Sequence, residues 1–125
     1  MDIFVLAKRI GNLLNEVEDI SGQLAEAIDR RDEVSMKMIV AMRFDPIQKL
    51  SVADKALREH LADLADDKDI ERIRAILNGD ESAAQGELEQ SLAQQAMTNI
   101  RQKERVMEQD KILNKSITRD KSIYQ

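Results

Sequence analysis

The sequence predicts an all-α fold: long antiparallel helices forming a helical hairpin or a three- to four-helix bundle, followed by a mobile C-terminal tail. Three observations predict it. Aromatic residues make up 2% of the 125 (Phe4, Phe44 and Tyr124), so the core has to be built from Leu, Ile, Val, Met and Ala. Helix interfaces accommodate those side chains well, whereas sheet-rich folds draw on aromatics. Gly occurs four times and Pro once, too seldom to punctuate the turns of a β-protein or the crossovers of an α/β sheet. Apolar residues recur in three- and four-residue steps, the helical period, over most of the chain. These features predict a single helical domain over residues 1–113 and a flexible tail over 114–125.

The first helix carries a heptad seam. With Ile3 at position a, the a set is Ile3, Ile10, Val17 and Leu24, and the d set is Leu6, Leu13, Ile20 and Ala27. Ala7, Leu14 and Ile28 widen this stripe, which favours a bundle over a strict two-stranded coil. Asp2 is placed to cap the helix, which should run to about Arg30, while Gly11 and Gly22 weaken it and leave packing to hold it. Asp32 is an N-cap for a second segment, Val34 to Met42, rich in methionine and apolar on most sides. Such a segment reads as a buried helix, or as a surface on which adaptable Met side chains receive a partner.

At Asp45-Pro46 the chain kinks or restarts, with Asp45 as N-cap and Pro46 in the first helical position. Ile47, Leu50, Leu57, Leu61 and Leu64 then continue the stripe, and Asp54 takes a place where a hydrophobe is expected. Asp69 is placed to cap a short helix containing Ile70, Ile73, Ile76 and Leu77, which Asn78-Gly79 ends. A last helix should begin near Ser82 and use Ala84, Leu88, Leu92, Ala96, Met97 and Ile100. From Arg101 to Lys111 only Val106 and Met107 are apolar, which predicts a solvated, fraying second half.

The catalytic inventory is thin. The absence of cysteine removes disulfides, thiolate metal sites and thiol nucleophiles. His60, with Glu59 and Asp63 beside it, reads as a surface histidine, because two ligands on one helix do not make a metal site. Asp66, Asp67 and Asp69 lack the glycine and distal glutamate of a calcium loop, and the isolated Gly11, Gly22, Gly79 and Gly86 form no phosphate-cradling loop. No enzyme activity, metal or cofactor is therefore expected. Net charge is −5, with the acidic excess in the first hundred residues and a mildly basic stretch after Arg101. Acidity of the body argues against nucleic acid as a partner. The start holds five apolar residues before Lys8 and Arg9, too few for a secretory leader or a membrane span, so a cytoplasmic protein without membrane insertion is expected. What remains is protein binding, through apolar stripes that pair with each other, with a second copy as a homodimer, or with an amphipathic segment of another protein.

The order of parts resembles the flagellar export chaperones of the FlgN family. The resemblance is carried by the seam Leu6 to Leu24, the junction Ala27-Ile28-Asp29-Arg30-Arg31-Asp32-Glu33, the stretch Arg43-Phe44-Asp45-Pro46-Ile47-Gln48-Lys49-Leu50, and the ending Ser122-Ile123-Tyr124-Gln125. It lies in pattern and not in a diagnostic motif. It implies a small cytoplasmic helical chaperone, without catalysis or ATP use, that holds the amphipathic C-terminal helices of hook-filament junction proteins, the hook-associated clients, and delivers them to an export-gate protein. By the same resemblance the client would be gripped by the last helix at Leu88, Leu92, Met97, Ile100, Val106, Met107 and Leu113, and Tyr124 would contact the gate. The sequence departs from the pattern in its Met-rich second helix and in the single residue after Tyr124. The alternative is a structural coiled-coil or bundle homo-oligomer, without client, pairing through the Ile3 to Ala27 seam.

Overall fold

The computed structural model describes residues 2–119, the side chains of Asp2, Thr118 and Arg119 excepted. The expected Asp2 cap lies outside the described side chains, and the expected tail beyond 119, with Tyr124, lies outside the described residues. Those that are described form an all-α bundle: α1 (Asp2–Asp29), α2 (Glu33–Met42), α3 (Phe44–Ala62), α4 (Asp67–Leu77), a 3-10 turn (Glu81–Ala83) and α5 (Glu87–Arg119). None of these helices is long and apolar enough to cross a membrane.

The wide stripe of α1 makes it the centre of the bundle, because a helix with apolar residues beyond the a and d positions has to cover more than one face. Leu13, Leu14, Val17, Leu24 and Ala27 are all buried. α3 runs antiparallel along one side: Leu50 packs against Ile10 and Leu14, while Leu57, Leu61 and Leu64 lie in the cluster around Ile3 and Ala7. α5 runs parallel to α1 along the other side, as the third long element of an up-down-up bundle must. Leu92 and Ala93 join Ile3 and Ala7 at one end, Val106 meets Leu14 and Val17 midway, and Leu113 and Ile117 pack on Leu24 and Ala27 at the other. The two short helices seal the ends, α4 with Ile73 and Ile76, α2 with Met36 and Ile39.

α5 departs from the expectation in three ways. It starts at Glu87, after the 3-10 turn and Gly86 in the left-handed region (φ +88°), and not near Ser82. It neither frays after Arg101 nor ends at 113: the helix continues to Arg119, and Ile117 is 2% exposed. The reason is polar seam residues. Between Leu92 and Ile117, places a hydrophobe would take are filled by Asn99, Gln102 and Asp110. The Asn99 side-chain amide donates to the Ala7 carbonyl (2.8 Å), Gln102 donates to Asn15, and Asp110 accepts from Arg43 at the α2–α3 junction. The close approach needs Gly11, where a Cβ would fall 2.7 Å from Gln95 Nε2 and 2.8 Å from Asn99 Oδ1.

Local signals fared unevenly. Asp32 caps α2, accepting from the Ser35 backbone N–H (3.2 Å) and hydroxyl (2.6 Å), and these hydrogen bonds, the hydroxyl's first, hold its carboxyl below the usual range. Asn78 ends α4 and Gly79 adopts φ +90°. The restart at Asp45 is corrected: α3 begins at Phe44 directly behind Arg43, Pro46 sits in the third position, and Asp45 pairs with Lys49 (3.0 Å) instead of capping. Pro46 is tolerated there because the first turn of a helix has no partners for its N–H groups. The cap of α4 is Asp66, which accepts from Lys68 N–H (2.9 Å), and not Asp69, which pairs with Arg72. α2 is not buried all round: Met36 and Ile39 face the core, while Val34, Met38 and Met42 are exposed.

Gly22 has open space around its missing Cβ, so Gly22→Ala should raise stability in urea by about 0.5–1 kcal/mol through helix propensity alone. Gly11→Ala should lose that gain to displacement of Gln95 and Asn99. Leu24→Ala, at a fully buried position, should lower stability by about 2–5 kcal/mol.

Candidate partner-binding groove

Among the described residues α3 and α5 nowhere bring their Cα atoms within 8 Å, although both pack on α1. The result is a groove with α1 as its floor, α3 and α5 as its walls, and α4 across one end. Its main hollow has a volume of about 410 Å³. Ile10 and Leu14 form the floor, Leu57 and Leu61 line one wall, Ile100 the other, and Leu77 the closed end. A second hollow of about 190 Å³ shares Ile10 and Leu14 and extends the groove to Leu50 on α3. Apart from Leu14, which is buried, these apolar side chains are half-buried. Bundle packing leaves them with one open side. Apolar concavities of this size with a few polar groups at the edge are where proteins take ligands and partner segments.

The closed end is held by charge. Arg72 on α4 donates through Nε to Glu89 on α5 (3.0 Å), through Nη2 to its other oxygen (3.3 Å), and through Nη1 to Asp69 (2.6 Å). Burial pushes the Glu89 carboxyl up, but the Arg72 hydrogen bonds, the Gln85 N–H and the Arg72 charge together outweigh it and hold the carboxyl below the usual range. The same carboxylates raise Arg72. This pair fixes α4 to the start of α5 and so fixes where Leu77 and Arg74 stand at the groove's end.

The seven side chains expected to grip a client do not form one surface. Leu92, Val106 and Leu113 are corrected: they are 0%, 7% and 3% exposed and belong to the core against α1. Met97 is half-buried beneath the turn after α4, where a Cβ on Gly79 would fall 2.5 Å from its Cε. Leu88 and Met107 are exposed, and Ile100 alone of the seven lines the groove. Spacing along one helix could not separate these roles, since it does not say which side faces α1. The groove-lining leucines of α3 were visible in the sequence only as a weak stripe. The signal that this side opens to solvent was Asp54, which stands on the groove wall and pairs with Arg58 (3.4 Å).

His60 is exposed, and no group of three or more His, Cys, Asp or Glu among the described residues is placed to hold a metal ion. A second apolar surface lies at the opposite end, where Val34, Met38 and Met42 follow one another at four-residue intervals on the outer side of α2 and Phe44 is exposed beyond them. Compared with protein-family models, curated proteins and solved structures, the chain matches none.

The Glu89 carboxylate contributes stability that is fully present above the ordinary carboxylate range and is lost as pH falls through its depressed value. Glu89→Gln should therefore be less stable than the parent at neutral pH, and the gap should close as the solution is acidified. Urea titrations of both proteins across that range measure it.

Proposed function

We propose that this chain is a protein-binding helical bundle that receives an amphipathic helical segment of a partner between α3 and α5, and that it works as a chaperone and not as an enzyme. The observation that supports this reading is the apolar groove on α1, lined by Ile10, Leu14, Leu57, Leu61 and Ile100 and left open by the separation of its two walls. A client helix laid there would complete a four-helix arrangement. Covering apolar area contributes about 2.5 kcal/mol per 100 Å², from which ordering and association costs are subtracted.

The resemblance to the FlgN family gives the finer form of the proposal. The client would be the amphipathic C-terminal helix of a hook-filament junction protein, held in the cytoplasm before type III secretion, and Tyr124 would contact the export gate. The grip is reassigned from the length of α5 to the groove, with Ile100 as the residue common to both assignments. A homo-oligomer paired through the α1 seam would have to displace α3 and α5 from Val17, and α2 and α5 from Leu24, which they cover.

Leu57→Glu with Ile100→Glu places two charges in the open groove, where they reach water. The double variant should keep its helical circular dichroism while binding of client C-terminal helices, measured by fluorescence anisotropy, falls at least about tenfold. Leu88→Glu with Met107→Glu, on exposed positions of α5, should bind as the parent does. The reverse pattern would return the grip to the outer side of α5. Tyr124→Ala should bind client normally and reduce its secretion in cells; unchanged secretion removes the gate assignment.

A further inference from the structure

We infer that the segment received by the groove is acidic: an amphipathic helix of about three turns whose apolar side is flanked by carboxylates, an inference that rests on the groove reading above. Arg58 on α3, Arg74 on α4 and Lys103 on α5 are all exposed and all border the same opening. The lining holds a single carboxylate, Asp54, and Arg58 pairs with it at 3.4 Å. Arg74 and Lys103 have no ion-pair partner among the described residues. In a chain of net charge −5, three cations around an apolar hollow invert the local sign of the surface. Cations that border a concavity and lack partners of their own favour a carboxylate-bearing occupant and disfavour a basic one.

The dimensions point to a helix. From Leu50 to Leu61 the α3 wall spans roughly 16 Å, about three turns, and cations stand on both walls and at the closed end. An occupant helix lying along α1 therefore meets positive charge on both flanks.

The test uses two fluorescein-labelled, stapled helices of three turns with the same leucine stripe, one flanked by glutamates and one by lysines. They are titrated into the full chain and into the Arg74→Glu/Lys103→Glu variant, whose changes are at exposed positions. The glutamate helix should bind about tenfold more tightly than the lysine helix at low salt. That advantage should shrink as salt is raised to about 0.5 M, and the preference should reverse in the variant. Equal binding of both helices, a preference for lysine, or a glutamate preference unchanged in the variant would overturn the acidic occupant while leaving the groove reading in place. Failure of both helices to bind would overturn the groove reading itself. Self-association of the chain that either helix competes away would make a second copy the occupant and overturn the inference.

Discussion

The stripe on α1 is too wide for one neighbour, and the rest of the bundle follows from that. Ile3, Leu13, Leu14, Val17, Leu24 and Ala27 spread the buried surface around the helix, so covering it takes two long helices on different sides. α3 and α5 each satisfy α1 and do not reach one another. The open strip of α1 left between them, around Ile10, is the floor of the groove. Stability and the candidate site thus come from the same side chains, and substitutions on the floor will disturb both, whereas those on the walls at Leu57 and Ile100 separate them.

α5 is held by a different balance. It has few large apolar residues, and at Gly11 the two helix backbones come close enough for Asn99 to reach a main-chain carbonyl of α1. A hydrogen bond between partly buried groups contributes modestly, but leaving the buried amide unpaired costs more, so these residues fix register more than they add stability. Asn99 and Gln102 select the parallel alignment of α5 on α1, Asp110 ties α5 to the α2–α3 junction through Arg43, and Arg72 with Glu89 anchors its start to α4. The groove's walls are positioned by polar pairs although its lining is apolar.

Much of the helical order was readable beforehand, and the reasons for the misses are specific. α1 was visible because four heptads of Ile, Leu and Val repeat without a charge, and Asp32 and Asn78-Gly79 are strong end signals with local causes. The second half of α5 was misread because an amide that bonds across an interface looks identical, in sequence, to an amide in water. Position 117 looked like tail for the same reason: Leu113 and Ile117 continue the seam only if Asp110 is counted as part of it. The groove was not readable, since it depends on α3 and α5 standing apart, a fact about two distant segments. Only Asp54, a carboxylate on an otherwise leucine-rich stripe, hinted at it.

The central claim, that a helical segment lies between α3 and α5, is tested most directly by paramagnetic relaxation. An amphipathic helix carrying a spin label at its midpoint would be added to the chain with its Ile, Leu and Met methyl groups labelled for NMR. Strong broadening at Ile10, Leu57, Leu61 and Ile100, with Leu88 and Met38 spared, is the expected result. Broadening centred on Leu88 and Met107, or on Met38 and Met42, with the groove methyls untouched, would contradict it.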